Sequence, residues 1–305
     1  MILNNKIKKF NYIIGDIHGC YEELIELEKI IKDHAEKENA LPFIISCGDL
    51  IDRGPFSKEV LEHFIKGEKS KTHTAIIGNH ELMMIQSLEF LQSRNHEIIF
   101  PKNLESYKEM FEKSKIYYPE TYEDFTDRMN QIWIEAGGRE TLQSFGINSI
   151  YQLNNSVSSD IINYLLNLPI FYEDENFFVT HGIPDNQDLE KIKLNDNKIT
   201  TQEVNKIKKL FNKFINKESK KDIINLKKVV NNIIWNKKVP KEKIHNKLNI
   251  SGHSSAKSVR DLKIQNALQI DTGCVYGNRL TAYCPETNSF LFIEAKKKYK
   301  EKKLI

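Results

Sequence analysis

Long apolar runs, metal-binding cysteine patterns and arginine are all scarce in this sequence of 305 residues. No apolar run is long enough to span a bilayer, and the opening stretch MILNNKIKKFNYIIG lacks the continuous apolar core of a secretory signal. The four cysteines show no C-x-x-C spacing and no disulfide framework, which fits a reducing compartment. We therefore expect a cytoplasmic protein without a membrane segment.

Arginine is scarce relative to lysine, with 6 arginines against 39 lysines and a net charge of +3. Much of the lysine lies in 186–247 and 295–303, and neither stretch carries the interleaved aromatic residues that single-strand nucleic-acid binders use. We expect solvated surfaces in both stretches and no nucleic-acid partner. The Lys- and Asn-rich part at 186–230 is interpreted as a surface insertion.

Short apolar runs that lead through a glycine turn to a metal-binding side chain occur five times. Each is rich in β-branched or aromatic residues and therefore predicts a buried strand. Sites in α/β proteins form at the carboxyl ends of such strands, so the five side chains are expected to meet. The five runs are NYIIGDIHG (11–19), FIISCGDLIDRG (43–54), TAIIGNHE (74–81), FFVTHG (177–182) and LNISGHS (248–254).

The order of the elements predicts an α/β fold with two packed mixed β-sheets flanked by helices. A helix is predicted at 21–32 between the first two strands, and three consecutive strands are predicted between 268 and 295 with a turn at 285–288. We expect one domain over 1–305, with a mostly helical insertion at 82–168. Six aromatic residues at 107–125 belong either to a small helical core or to a cap that faces the substrate.

The strand ends supply six oxygen and imidazole donors and no thiolate, a set that suits manganese, iron or zinc. Six ligands are too many for one catalytic ion that must keep open positions. They suit two divalent transition-metal ions about 3.5–4 Å apart that share a bridging carboxylate. Manganese is the first expectation, with iron and zinc as alternatives. The six candidate ligands are Asp16, His18, Asp49, Asn79, His181 and His253.

These motifs resemble the phosphoprotein phosphatase (PPP) group of calcineurin-like metallophosphoesterases. The three-part signature of that group stands here as GDIHG (15–19), GDLIDRG (48–54) and GNHE (78–81). Four later segments of this sequence resemble later landmarks of the group, namely THG, IIWNKK (233–238), SGHS and IDTGCVYGNRLTAY (270–283). The Trp235–Asn236 pair is most similar to the bacterial and phage-type branch. The resemblance covers 1–81, 131–182 and 233–293.

The resemblance implies a distribution of the six ligands over two ions. Asp16, His18, Asp49 and His253 would surround one ion. Asp49 would bridge to the other, which Asn79 and His181 complete. The nucleophile would be a hydroxide that bridges the two metals.

The resemblance also implies residues that handle the substrate. Arg53 would grip the phosphate oxygens with its planar fork, and Asn79 would contact them as well. His80 would protonate the leaving group while Asp52 orients its ring. Lys237 stands where the branch often has a second phosphate-binding arginine, so the charge is kept but the bidentate geometry is lost.

The resemblance implies a phosphomonoesterase, first a protein Ser/Thr phosphatase, because DRG and GNHE are intact. The alternative is a hydrolase of nucleotides or dinucleoside polyphosphates, with the aromatic stretch 107–125 stacking on bases. A third reading, a binding module on an inactive scaffold, is opposed by the complete ligand set. The substrate is accordingly expected to be a phosphoprotein or a phosphorylated small molecule.

Two further interpretations concern side chains outside this set. Cys47 and Arg53 have the C-x₅-R spacing of cysteine-dependent phosphatases, but carboxylates inside that loop would repel a phosphate, so Cys47 is expected to be a buried apolar residue. The remaining histidines are expected to be ordinary packed side chains. They are His34, His63, His73, His96 and His245.

Overall fold

Ten strands form two five-stranded sheets in the computed structural model, which describes residues 8–93, 122–185 and 233–302. The strands are Lys8–Ile14 (β1), Ala40–Ser46 (β2), His73–Ala75 (β3), Phe171–Glu173 (β4), Phe177–Thr180 (β5), Leu248–Ser251 (β6), Arg260–Leu262 (β7), Ala267–Gln269 (β8), Arg279–Cys284 (β9) and Ser289–Glu294 (β10).

The helices of the described ranges lie mainly between the strands of the first sheet and before β4. They are Tyr21–Lys37 (α1), Ser57–Lys69 (α2), Asn79–Ser93 (α3), Tyr122–Trp133 (α4), Arg139–Ser144 (α5), Leu153–Ser156 (α6) and Ser159–Asn167 (α7). A turn at Ile134–Gly138, kinked at Gly137, joins α4 to α5, and short 3₁₀ turns lie at Ile150–Gln152 and Cys274–Tyr276.

Both sheets are mixed. The first has the order β10-β9-β1-β2-β3, with β1, β2 and β3 parallel and joined through α1 and α2, and β9 antiparallel to both of its neighbours. The second has the order β4-β5-β6-β8-β7, with β5, β6 and β8 parallel and the two edge strands antiparallel. The predicted fold class, two packed mixed sheets flanked by helices, is confirmed.

Alternate residues of β1 pack against opposite layers, as the two-residue period of a strand requires. Ile13 packs between the sheets, with Ile45 and Ile76 from the first sheet and Val179 from the second. Tyr12 and Ile14 pack on the other face, in the core that includes α1 and α2. Each fully buried side chain of this size contributes about 1.5–3 kcal/mol, so the two layers fix the register of β1.

The parallel register brings the carboxyl ends of the strands to one edge of the sandwich. Ile14 is level with Ser46, and Ser46 with Ala75, so the loops that follow β1, β2 and β3 are neighbours. In the second sheet Thr180 is level with Ser251. The five predicted strands therefore end where the sequence pattern expects them to end.

The remaining expectations about organisation have mixed outcomes. The predicted helix at 21–32 is confirmed and extends to Lys37. The described part of 82–168 is helical, while the side chains of the aromatic stretch 107–125 and the insertion at 186–230 lie outside the described residues, so a single domain over the whole chain stays a prediction. Among the described helices, none combines the length and hydropathy that a membrane span requires.

Candidate metal centre

Strained backbone marks the loops that follow the strands. Nine non-glycine residues of the described ranges have positive φ, and five of them belong to the predicted site, namely His18, Asp49, Asp52, Arg53 and His253. Such conformations cost on the order of 1–3 kcal/mol each and persist where the surroundings enforce them, typically at functional sites. The loop backbone is thus shaped to aim these side chains inwards.

Two of the glycines in these turns allow backbone to approach carboxylates closely. A Cβ at Gly78 would overlap with Asp49 Oδ1, and a Cβ at Gly252 would overlap with Asp16 Oδ1. Any larger residue at either position would displace a candidate ligand. The glycines of the motifs are therefore part of the geometry of the site.

Three histidines have one ring nitrogen fixed by a backbone carbonyl. His18 Nδ1 lies 2.8 Å from the Ile51 oxygen, His181 Nδ1 lies 2.8 Å from the Cys47 oxygen, and His253 Nε2 lies 3.1 Å from the Trp235 oxygen. A carbonyl only accepts, so each of these nitrogens carries the proton. The opposite nitrogen of each ring is thus the one that would offer its lone pair to a metal, as in histidine metal ligands held by a backbone carbonyl.

Asp49 lies between two groups of donors, and its two oxygens face different groups. Asp49 Oδ2 lies 3.5 Å from His18 Nε2, whereas Asp49 Oδ1 lies 3.3 Å from His181 Nε2. An ion bound at about 2.0–2.2 Å separates its ligands by about 3–3.5 Å. The carboxylate therefore has the orientation that a bridging ligand needs, with 2% of its side chain exposed.

All six predicted ligands come together at this edge of the sandwich. Asn79 Oδ1 lies 3.0 Å from His181 Nε2, and Asp16 Oδ2 lies 4.0 Å from His18 Nε2. The backbone N–H of His253 donates to both carboxylate oxygens of Asp16, at 3.1 Å each. Oxygen and imidazole donors without a thiolate, paired at these distances, fit two divalent transition-metal ions.

The imidazole of His253 groups differently from what the resemblance implies. Its donor atom lies with those of Asp49 and His181 within a span of 4.8 Å, and its ring centroid lies 4.9 Å from that of His181. Its contact with Asp16 is made through the backbone N–H, at a residue of positive φ. The assignment of His253 to the same ion as Asp16 and His18 is therefore not the one that the geometry favours.

The charges of the site call for cations. Burial raises the pKa of Asp16 well above its usual value, and the nearby Asp271 carboxylate raises it further. Burial lowers the pKa of His181, but the Asp49 carboxylate opposes this and the result is a pKa of about 10. Burial and His181 together lower the pKa of His253 to about 3. Buried carboxylates that repel one another and draw protons are the environment that a bound divalent ion neutralises.

Two buried carboxylates of the site were not predicted from the sequence. Glu81 accepts backbone N–H bonds from Asp49, Leu50, Ile51 and Gly78, at 2.8–3.2 Å. It thus ties the loop after β2 to the start of α3, and burial raises its pKa to about 7. Asp271 follows β8 and is 5% exposed. Its sequence, IDTG, repeats the strand–glycine pattern of the other motifs, which is the signal that could have identified it.

His80 and Asp52 form a buried pair beside Asp49. His80 Nδ1 lies 2.6 Å from Asp52 Oδ2, which also accepts a 2.9 Å bond from Trp133 Nε1. Thr141 Oγ1 donates to Asp52 Oδ1 at 2.6 Å. His80 Nε2 faces Asp49 Oδ2 at 3.9 Å, so the free end of the ring points into the centre. The contributions of Trp133 and Thr141 were not predicted, since nothing in their local sequence indicates a partner about 80 residues earlier.

Two cationic side chains border the centre. Arg53 Nη1 lies 2.5 Å from His18 Nε2, and its Nε donates to the Ala136 oxygen at 3.3 Å. Lys237 is exposed and lies near enough to His253 to contribute to the low pKa of that ring. Arg53 is thus held inside the centre and Lys237 lies at its rim.

Cys47 is not a nucleophile in this geometry. It is fully buried between the sheets among Ile13, Ile45 and Ile76, and burial raises the pKa of its thiol well above the usual value. The expectation of a small buried apolar side chain is confirmed. All four cysteines are buried and free.

Parts of this chain are similar in sequence to known proteins. A symmetrical bis(5′-nucleosyl)-tetraphosphatase of Coxiella burnetii (strain Dugway 5J108-111) is 42% identical over 80 residues, which are 26% of this chain and 25% of that protein. The asymmetrical bis(5′-nucleosyl)-tetraphosphatase PrpE of Halalkalibacterium halodurans is 30% identical over 124 residues, 35% of this chain and 50% of that protein. The matches thus span a quarter to a half of these relatives.

Similarity in structure extends over nearly the whole chain. A crystal structure of a cold-active protein tyrosine phosphatase aligns with 97% of this chain and 81% of its own, with a TM-score of 0.50 and 14% sequence identity. At that identity the likeness concerns the fold alone. The profile of one family, described as calcineurin-like phosphoesterase, matches residues 12–277 and so includes all six candidate ligands. The chain belongs to the calcineurin-like phosphoesterase family.

Proposed function

We propose that this protein is a two-metal hydrolase that cleaves dinucleoside polyphosphates. The observation that carries the two-metal chemistry is the orientation of Asp49, whose two oxygens face His18 and His181 on opposite sides. The substrate class is supported by the names of relatives that are similar to parts of this chain, since those reported above are named as bis(5′-nucleosyl)-tetraphosphatases. The metal identity is left to experiment, with manganese as the first expectation and iron or zinc as alternatives.

The ligand roles follow the distances. Asp16, His18 and Asp49 would hold one ion, and Asp49, Asn79, His181 and His253 would hold the other. When bound, the two ions supply a hydroxide nucleophile near neutral pH and neutralise phosphate charge. His253 is thus assigned to the second ion, whereas the resemblance implies the ion of Asp16 and His18.

Arg53 binds the phosphate under attack. Its guanidinium reaches His18, so it lies beside the first ion position, and its backbone is held by a 3.1 Å bond to the Gly137 oxygen. A planar guanidinium engages two phosphate oxygens at once. The Asn79 amide, whose oxygen lies 3.0 Å from His181 Nε2, is assigned a contact to the phosphate oxygens, and Lys237 at the rim attracts the remaining phosphates of a polyphosphate chain as a point charge.

His80 donates a proton to the oxygen that leaves. Its Nδ1 donates to Asp52, so Nε2 is the ring nitrogen that faces the centre and would deliver the proton from the imidazolium form. Burial of the pair excludes competing water, with 1% and 0% of the two side chains exposed. A positioned general acid of this kind contributes roughly 10²–10⁴-fold when the leaving group is a poor one.

A phosphoserine or phosphothreonine protein is the second candidate substrate, and the His80–Asp52 pair favours it. A serine alkoxide is a poor leaving group that needs a proton, whereas a nucleoside phosphate is already a stable anion. A buried acid held by Asp52 is therefore of more use to a phosphomonoesterase than to a polyphosphate hydrolase. The pair is the one observation that supports the protein-phosphatase reading over the relatives' names.

One experiment compares the two substrate classes directly. Metal-loaded protein is incubated with diadenosine tetraphosphate, a phosphoserine peptide and a phosphotyrosine peptide, and kcat/KM is measured for each. We expect the highest value for diadenosine tetraphosphate, with two ADP, or ATP and AMP, as products. Asp49→Asn is the matched control for contaminating phosphatases. Turnover of the phosphoserine peptide alone would replace the proposal by the second candidate, and no metal-dependent turnover of any substrate would refute both.

A further inference from the structure

A second cluster of metal-binding side chains lies on the helix-covered face of the first sheet. Glu28 of α1, His63 of α2 and His73 of β3 bring one carboxylate oxygen and two imidazole nitrogens within 4.8 Å of one another. His73 begins β3, whereas Asn79 of the candidate centre follows the opposite end of that strand. The cluster is therefore separate from the strand-end centre and shares no residue with it.

We propose that Glu28, His63 and His73 form an additional site for a divalent transition-metal ion, zinc in the first instance. This helix-side site does not depend on the proposed function. Two imidazoles, one carboxylate and a fourth position for water make a common zinc environment. Imidazole donors also select zinc and its neighbours over magnesium and calcium, which prefer all-oxygen sites.

The distances between the donors are close to those that zinc needs. Glu28 Oε1 lies 2.8 Å from His63 Nε2 and 3.2 Å from His73 Nε2. Tetrahedral ligands at about 2.0–2.1 Å from zinc are roughly 3.4 Å apart. The glutamate oxygen must move away from His63 Nε2 by about 0.6 Å and from His73 Nε2 by about 0.2 Å, which is the scale of small side-chain rotations.

The ring of His73 is held in the orientation that such a site requires. Thr72 Oγ1 donates to the Gly67 oxygen at 3.2 Å, and it lies 2.8 Å from His73 Nδ1. Because the hydroxyl proton is engaged, this oxygen can accept the proton of Nδ1, so His73 Nε2 can give up the proton that bonds to Glu28 and offer its lone pair to a metal ion. An outer hydrogen bond of this type fixes the metal-binding tautomer.

Gly67 provides the space for that ring. A Cβ at Gly67 would overlap with the His73 imidazole. Glycine inside a helix such as α2 costs about 0.5–1 kcal/mol relative to alanine, so its presence there needs a reason. The close approach of His73 to α2 supplies the reason, and it seats His73 within reach of His63.

The surroundings suit an ion that can enter from solvent. The exposed fractions of the side chains are 17% for Glu28, 20% for His63 and 11% for His73, so the cluster is shielded but open on one side. Burial alone would raise the pKa of Glu28, but hydrogen bonds from the two histidines hold it below its usual value, so the carboxylate is charged. The aromatic ring of Phe64 packs edge-on against His73 at 5.5 Å and forms an apolar wall.

The experiment separates this site from the strand-end centre by working in a background in which the centre is impaired. Asp49→Asn protein is stripped of metal, reloaded with zinc and freed of excess zinc by gel filtration, and the bound zinc is counted. The same is done with Asp49→Asn/His63→Gln and with Asp49→Asn/Glu28→Gln. His34→Gln in the same background is the matched control, because His34 of α1 bonds to a tyrosine hydroxyl and pairs with no carboxylate of the described residues.

The helix-side site predicts a loss of one zinc equivalent in both double variants and no loss with His34→Gln. X-ray absorption of zinc-loaded Asp49→Asn should show imidazole and oxygen ligands at about 2.0–2.1 Å, and zinc should raise its melting temperature more than that of the double variants. Circular dichroism shows whether each variant is folded. Equal zinc content in folded Asp49→Asn and folded Asp49→Asn/Glu28→Gln would overturn the site and leave a hydrogen-bonded triad without a metal. If the Glu28→Gln double variant is unfolded, the same comparison of zinc content is made between Asp49→Asn and Asp49→Asn/His63→Gln.

Discussion

Replacing Asp52 by asparagine isolates the charge of the His80–Asp52 pair from its hydrogen bonds. Asp52 Oδ2 accepts from His80 Nδ1 and Trp133 Nε1, and Oδ1 accepts from Thr141 Oγ1. In Asp52→Asn the amide oxygen can keep the Oδ2 position and both of its donors. The amide nitrogen then faces Thr141 Oγ1, whose proton can turn to Ser57 Oγ at 2.9 Å. The two bonds to Oδ2 are therefore kept, while the Ser57 hydroxyl proton loses its Thr141 acceptor.

The expected loss of turnover in Asp52→Asn follows from the replacement of a charged hydrogen bond to His80 by a neutral one. A hydrogen bond to a charged group contributes about 1.5–3 kcal/mol and a neutral one about 0.5–1.5 kcal/mol, so removal of the charge costs the protonated ring about 1–1.5 kcal/mol. At about 1.36 kcal/mol for each factor of ten, turnover that depends on the proton should fall about five- to thirteenfold. His80→Asn removes the acid itself and should cost roughly 10²–10⁴-fold on the same substrate.

The leaving group decides where these losses are seen. Expulsion of a serine alkoxide needs the proton, whereas p-nitrophenolate and a nucleoside phosphate are stable anions. We therefore expect both variants to lose most of their activity on a phosphoserine peptide and clearly less on p-nitrophenyl phosphate and diadenosine tetraphosphate. The assay is kcat/KM on all three substrates, with bound metal counted in each preparation.

Two results would refute this reasoning. Equal losses on all three substrates with metal retained would exclude a proton-donating role for His80. Loss of bound metal from His80→Asn would make His80 a ligand, which its 3.9 Å distance to Asp49 Oδ2 leaves open to test.

The remaining predictions concern four other residues. Asp49→Asn should lose at least one of two ions and nearly all turnover, since one carboxylate serves both positions; near wild-type activity in a metal-counted sample would disprove the bridge. Arg53→Ala should lower turnover at least tenfold and weaken inhibition by inorganic phosphate, because a charged hydrogen bond of about 1.5–3 kcal/mol is lost; an unchanged inhibition constant would place Arg53 away from the phosphate. Lys237→Arg should retain or raise activity, as a second planar fork replaces a point charge; complete loss in a folded, metal-loaded protein would contradict the rim position. Glu81→Gln should lower the free energy of unfolding, measured by urea denaturation, by about 2–5 kcal/mol, because an amide nitrogen would face backbone donors. A stability within about 0.5 kcal/mol of wild type would show that the four N–H bonds are not needed.

Much of the fold could be predicted because the local sequence marks where each strand ends. Each parallel strand is a short apolar run closed by glycine, and helix α1 shows an apolar face with Leu24, Leu27 and Ile31 buried. The convergence of Asp16, Asp49 and Asn79 then follows from parallel register alone. These predictions rest on local patterns, and local patterns are what a single sequence displays.

Long-range partners could not be predicted in this way. Asp52 is held by Trp133 and Thr141, which lie 81 and 89 residues further along the chain. The direction of the His253 ring depends on one positive φ and one bond to the Trp235 oxygen, neither of which has a sequence pattern of its own. The sequence gives no sign that His63 and His73 share a partner, because Glu28 of α1 comes within hydrogen-bond distance of both rings only in the folded chain.

The contacts that sequence reasoning missed are the ones that hold the strained loops in place. Asp49, Asp52 and Arg53 all have positive φ within five residues, which by itself disfavours this loop by several kcal/mol in total, at roughly 1–3 kcal/mol each. Glu81 binds three successive N–H groups of that loop, and the Gly137 oxygen binds the N–H of Arg53. Charged hydrogen bonds of about 1.5–3 kcal/mol each offset the strain. The carboxylate that faces both ion positions is therefore aimed by the folded protein before any ion binds, and changes at Glu81 should weaken metal binding even though Glu81 contacts no ion position.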